Sequence, residues 1–186
     1  MERKSFVYKM TMTGLMAAVI CILGPLSIPV GLIPVSFTNL AIFLTIYILG
    51  TKNAVMSLLI YILIGLTGAP VFSGFSGGLS KLLGPTGGYI IGFIFMAIIS
   101  GIFIDNFINK WILCVLGMVL GTFACYTSGT LWLAYQADMT IPAALGVGVL
   151  PFITGDIVKI LFVAIMGPRI RQRLIRYNLF IPSRYS

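Results

Sequence analysis

The sequence predicts an all-α membrane protein of six transmembrane helices, with an outward-facing ligand pocket capped by glycine-rich loops. Three observations carry this expectation. Hydrophobic residues make up 59% of the chain and charged residues 9%, where a soluble domain averages about 25% charged. Apolar stretches recur at 10–29, 37–50, 54–66, 87–104, 111–135 and 145–166. The basic residues fall on one side of that pattern. Arg3, Lys4 and Lys9 precede the first stretch, and Arg169, Arg171, Arg173, Arg176 and Arg184 follow the last. Lys52 and Lys110 occupy the second-to-third and fourth-to-fifth turns. Six crossings therefore put ten of the 12 Lys and Arg residues on one face, and five crossings would scramble that bias. Basic loops mark the cytoplasmic side, so both termini are expected inside the cell. At 186 residues the chain is expected to be a single integral-membrane domain, 1–186.

The first stretch follows a basic start and resembles a signal peptide. It lacks a small-residue cleavage site followed by a polar mature domain, so the span is expected to be retained. Thr13, Gly14, Ala17 and Ala18 form two small-xxx-small pairs, Thr13/Ala17 and Gly14/Ala18. Such a strip lets another helix approach closely, either as internal packing or as a docking face for a partner protein. Breakers then crowd residues 24–31.

The second stretch opens with Pro34-Val35-Ser36-Phe37-Thr38-Asn39-Leu40. Ser36 or Thr38 can cap a helix. Asn39 lies inside the helix, and with Thr38 it offers hydrogen-bonding groups at pocket level. The second and third stretches, 37–50 and 54–66, are shorter than the ~20 residues a crossing needs. Both start from the Lys52 turn and stop before the outer surface. Non-helical backbone at membrane depth survives only beside protein or a water-filled cavity. A pocket open to the outside is the expected result.

Residues 68–89 form the main candidate lid. The segment holds Gly74, Gly77, Gly78, Gly84, Gly87 and Gly88, and its other side chains are largely apolar, Phe72 and Leu79 among them. A solvated linker would be polar. Gly87 and Gly88 open the fourth stretch, where a helix N-terminus can face an anion. The spacing is not that of a nucleotide-binding loop. In the fifth stretch, Tyr135 reads as part of an interfacial aromatic belt. Trp132, one turn deeper, belongs to the same belt or stacks on a flat ligand.

The last stretch carries Asp156 and Lys159. Each charge at the bilayer centre costs at least about 2.5–3.5 kcal/mol. Their i, i+3 spacing puts both on one helical face, where they can pair. They form either a structural ion pair or a polar ligand site inside the bundle. Counting back from Met166 at 1.5 Å per residue puts Asp156 roughly 15 Å above the cytoplasmic end.

Several function classes fall away. The net charge of +8 sits at helix ends, so a nucleic-acid partner is not expected. Cys21, Cys114 and Cys125 have no metal-ligand spacing and read as small core residues. An intramembrane enzyme would need a nucleophile with its base, paired carboxylates or metal ligands. The chain has no histidine, and Asp105 and Asp138 read as loop residues. A self-sufficient carrier for another small solute is the alternative transport reading, though inverted repeats are not visible.

Three segments carry a resemblance. Gly65-Leu66-Thr67-Gly68-Ala69-Pro70-Val71-Phe72, Gly84-Pro85-Thr86-Gly87-Gly88-Tyr89 and Gly155-Asp156-Ile157-Val158-Lys159 resemble the BioY family, the biotin-binding S components of bacterial energy-coupling factor (ECF) transporters. The resemblance implies six membrane helices and high-affinity capture of biotin from outside the cell. It implies a complex with the ECF coupling membrane protein and two ATP-binding-cassette ATPases, in a bacterial cell membrane, with no cofactor or metal. It further implies that the first-helix strip meets the coupling protein. Asp156 can accept from the ureido N–H groups of biotin, and Lys159 can donate to a carbonyl or carboxylate oxygen. The remaining expected ligand contacts are Tyr89, Thr38, Asn39, Phe72 and Trp132, with Ser80 or Lys81 as the polar lid contact.

Overall fold

The computed structural model describes residues 2–28, 35–177 and 179. Residues 29–31 of the first breaker segment, Pro34 and Arg184 lie outside these. The described residues form eight helices: α1 (Glu2–Leu23), α2 (Thr38–Leu49), α3 (Thr51–Leu66), α4 (Leu79–Leu83), α5 (Gly87–Asn106), α6 (Trp111–Gln136), α7 (Ile141–Gly148) and α8 (Leu150–Arg176). Between α1 and α2, strands β1 (Ser27–Ile28) and β2 (Val35–Ser36) pair antiparallel, Ser27 opposite Ser36. All-α is therefore the observed class, apart from this two-residue ladder.

Four helical segments are long and apolar enough to cross a membrane, by length and composition: Phe6–Leu23, Gly87–Asn106, Trp111–Gln136 and Leu150–Arg176. Helices α2 and α3 are shorter, at 12 and 16 residues. At 1.5 Å per residue they span about 18 and 24 Å, less than the ~30 Å hydrocarbon core.

Close helix approach is built from glycine. A Cβ at Gly92 or Gly121 of the α5–α6 pair would overlap Ser128 or Ser100 of the facing helix, and one at Gly129 would overlap the Tyr89 ring. Small residues give membrane helices this intimacy where water provides no driving force. The α1 strip is divided by the same packing. Thr13 and Ala17 face inward and are buried, and Ser57 Oγ of α3 donates to the Thr13 carbonyl at 2.9 Å. Gly14 and Ala18 face outward, and a Cβ on Gly14 would meet nothing within 4 Å. Of the two expected small-residue pairs, Thr13/Ala17 thus packs inside and Gly14/Ala18 faces outward.

Two expectations change. The stretch 145–166 is not one helix. The chain breaks at Val149 (φ −129°, ψ −54°), and Pro151 lies in the first turn of α8. Proline lacks an N–H and has a fixed φ, so it starts helices readily. Asp156 is consequently about 9 Å from the start of α8 at 1.5 Å per residue, nearer that end than the sequence count suggests. Asp105 lies in the last turn of α5 rather than in a loop. Its carboxylate accepts from Thr51 N at 2.8 Å, Thr51 Oγ1 at 2.6 Å and Arg171 Nη2 at 2.6 Å. This clamp brings the end of α5, the start of α3 and the basic end of α8 together. Arg171, expected as an ordinary terminal charge, is buried.

Candidate ligand-binding site

At the end of the bundle opposite this clamp lies a cavity of about 720 Å³, counting its mouth. Its walls are aromatic: Tyr61 of α3, Phe72 of the loop, Tyr89 and Phe93 of α5, Tyr126 of α6 and Phe152 of α8. Its polar groups converge from the first turn of α2 (Thr38, Asn39) and from α8 (Asp156, Lys159).

The polar cluster is tightly connected. Asp156 Oδ1 accepts from Asn39 Nδ2 at 2.7 Å and from Lys159 Nζ at 3.0 Å, and its Oδ2 accepts from the Tyr126 hydroxyl at 2.6 Å. Lys159 Nζ also donates to the Ser36 carbonyl at 2.7 Å and to Asn39 Oδ1 at 3.1 Å. The side chains of Lys159 and Asp156 are 11% and 10% exposed. A charge so enclosed is tolerable only when paired and hydrogen-bonded. The ammonium has three protons, and all three are engaged.

The loop 67–78 is anchored rather than draped. Phe72 is buried, meets Tyr61 edge-on at 5.5 Å between centroids, and fills the space left by the missing side chain of Gly65. Gly78 N donates to the Gly65 carbonyl at 2.7 Å, and Gly74 N to the Pro25 carbonyl at 3.1 Å. Gly74 (φ 74°) and Gly78 (φ 89°) adopt backbone that L side chains rarely accept.

Most of the expected site residues converge here. Asp156, Lys159, Thr38, Asn39, Tyr89, Phe72 and Lys81 all line the cavity. Ser80 is exposed and does not, so of the two lid candidates Lys81 is the one at the cavity. Trp132 is also not a lining residue. Its Nε1 donates to the Gly84 carbonyl at 2.9 Å and its side chain packs over Gly88, which fastens the loop to α6. At the start of α5, Gly87 N donates to the Gly84 carbonyl at 3.0 Å and Tyr89 N to the Thr86 carbonyl at 3.1 Å, so these N–H groups are engaged within the turn. Tyr89 donates its hydroxyl to the Gly148 carbonyl at 2.9 Å, where the α7–α8 break frees an acceptor.

Sequence reasoning missed Tyr61, Phe93, Thr122 and Tyr126. For α6 a signal existed. Thr122 and Tyr126 are polar-tipped, four residues apart in an apolar run, and so share a face. Among the described residues no group of three His, Cys, Asp or Glu side chains could hold a metal ion. The site suits a compact ligand with an apolar ring body and N–H donors that reach a carboxylate.

The BioY family model matches residues 1–176. The chain is similar to "Biotin transporter BioY2" of Lactococcus lactis subsp. cremoris, 32% identical over 95% of this chain and 97% of that one. It is similar to "Biotin transporter BioY" of Thermotoga maritima, 33% identical over 86% of this chain and 93% of the relative. Its fold matches a crystal structure of the S-component for biotin from an ECF-type ABC transporter, with a TM-score of 0.85, 29% identity and coverage of 92% and 95% of the two chains. A match of this extent, over a chain whose long apolar helices fit a multi-pass membrane protein, shows that it belongs to the BioY family.

Proposed function

We propose that this chain captures biotin at the outer face of a bacterial cell membrane, as the S component of an ECF-type ATP-driven transporter. It is a transport protein, not an enzyme. The observation that carries the ligand assignment is the Asp156 carboxylate, held by three donors at the floor of an aromatic-walled cavity. Biotin offers matching chemistry: a bicycle with an apolar thioether ring, two ureido N–H donors and a carboxylate tail. The ureido end meets Asp156, and the bicycle packs against Tyr89 and Phe93. The tail points to Lys81, the loop cation that lines the cavity. Lys159 reaches a ligand oxygen by releasing one of its present acceptors.

Six crossings supply the topology: α1, α2, α3, α5, α6 and the α7–α8 pair, with the clamp end cytoplasmic under the positive-inside bias. The loop 67–86 acts as the lid. Energy comes from partners, a coupling membrane protein and two ATPases, with the outward pair Gly14/Ala18 on α1 as the docking strip. The test is uptake of labelled biotin by cells lacking their own biotin transporter. Uptake should require this chain together with the coupling protein and ATPases, and Gly14→Trp should abolish uptake while leaving biotin binding intact. Uptake by this chain alone would make it a self-sufficient carrier, and no uptake with all partners present would overturn the assignment.

A further inference from the structure

The Asp156 carboxylate is not symmetrically occupied. Oδ1 holds two donors, Asn39 Nδ2 and Lys159 Nζ. Oδ2 holds one, the Tyr126 hydroxyl at 2.6 Å. A carboxylate oxygen accepts about two hydrogen bonds. Oδ1 is therefore filled, and Oδ2 keeps one acceptor position. Both Asp156 and Tyr126 line the cavity.

The donors also differ in origin. Asn39 comes from α2 and Lys159 from α8 itself, and both hold the same oxygen. Among the described residues, Tyr126 alone comes from α6 and alone holds the other oxygen. Without it, the carboxylate would be pinned at one oxygen and free to swing the other. A short O–H to carboxylate bond is charge-assisted and directional, and its tyrosine ring is set by the α6 backbone. Geometry fixed before the ligand arrives is what converts a polar group into an affinity determinant.

We infer that Tyr126 is a positioning residue, which orients Asp156 so that the remaining acceptor position of Oδ2 meets one ureido N–H of the ligand. The inference rests on the biotin reading above. Tyr126 works through Asp156, and its ring remains part of the cavity wall when the hydroxyl is gone.

The test uses the purified full chain, its Tyr126→Phe variant, and three ligands. These are biotin and two cyclic carbamate analogues, each with a ring oxygen in place of one of the two ureido N–H groups. Tyr126→Phe should lower affinity for biotin by about ten- to a hundredfold, the range of one charge-assisted hydrogen bond. One carbamate, lacking the N–H that meets Oδ2, should be bound equally by parent and variant. The other should show the same loss as biotin. Equal losses for all three ligands would mean that Tyr126 merely braces the pocket, and would overturn the inference. So would an unchanged affinity for biotin in the variant while the parent binds it. A parent that binds no biotin at all would overturn the functional reading itself, and this inference with it.

Discussion

Two carboxylate–cation pairs lie at opposite ends of this bundle, and they look alike until their surroundings are compared. Asp105 meets Arg171 at 2.6 Å, and Asp156 meets Lys159 at 3.0 Å. Each carboxylate accepts three bonds. Two of those on Asp105 come from Thr51, one of them from the main-chain N–H that opens α3. That carboxylate serves as a helix cap and a tie between helix ends. All the donors on Asp156 are side chains that line a cavity. An ion pair among membrane helices is therefore not a site by itself. The empty volume beside it separates a clamp from a binding group.

The comparison predicts opposite responses to mutation. The largest effect should come from Arg171→Met, which leaves a carboxylate at the clamp without its cation. Breaking a buried pair costs about 3–5 kcal/mol; the Asp105 side chain is 23% exposed, which puts this pair at the lower end, and about 2–4 °C is lost per kcal/mol in a chain of this size. A fall of roughly 10 °C in melting temperature is expected, with biotin affinity within about twofold. A large loss of affinity without a loss of melting temperature would erase the distinction between the two pairs. Lys159→Met should show the reverse emphasis. Biotin affinity should fall by about tenfold or more, since Asp156 and Asn39 both lose a donor, with a smaller change in melting temperature. An affinity equal to the parent's would place Lys159 with the structural clamp.

Smaller effects sharpen the boundary of the site. Trp132→Phe removes one hydrogen bond to the loop and should lower stability by about 0.5–1.5 kcal/mol. Its affinity loss should stay below that of Lys159→Met, and a greater loss would put the indole in contact with ligand. Ser80→Ala should change neither stability nor affinity beyond about 0.5 kcal/mol. Lys81→Met should weaken binding of biotin but not of biotin amide, which lacks the tail charge. Equal weakening for both ligands would remove Lys81 from the tail end.

What could be read from the sequence follows the range of each interaction. The Asp156–Lys159 pair is three residues apart on one helix, so its pairing was legible without a fold. The short α2 and α3 and the apolar loop were legible from length and composition, because bilayer thickness is a fixed ruler. The Asp105–Arg171 clamp was not, since its partners are 66 residues apart. Tyr126 shares a polar-tipped face with Thr122, but its partner Asp156 lies 30 residues away and only the fold brings the two together. Depth left Trp132 open between an interfacial belt and a ligand stack, because its hydrogen-bond partner, the Gly84 carbonyl, lies 48 residues away. The split of the α1 strip also needed the fold, as it depends on which side of α1 meets α2 and α3.

The central claim is that the Asp156 carboxylate binds ligand and is not there only to neutralise Lys159. Calorimetric titration of biotin into the purified parent and its Asp156→Asn variant, with melting temperatures for both, tests it most directly. The amide keeps an oxygen for Tyr126 but loses the charge and half of the acceptor capacity. The parent should bind one biotin per chain, and the variant should bind about ten- to a hundredfold more weakly while still unfolding cooperatively. A variant that binds biotin as the parent does would contradict the claim and return Asp156 to the same structural role as Asp105.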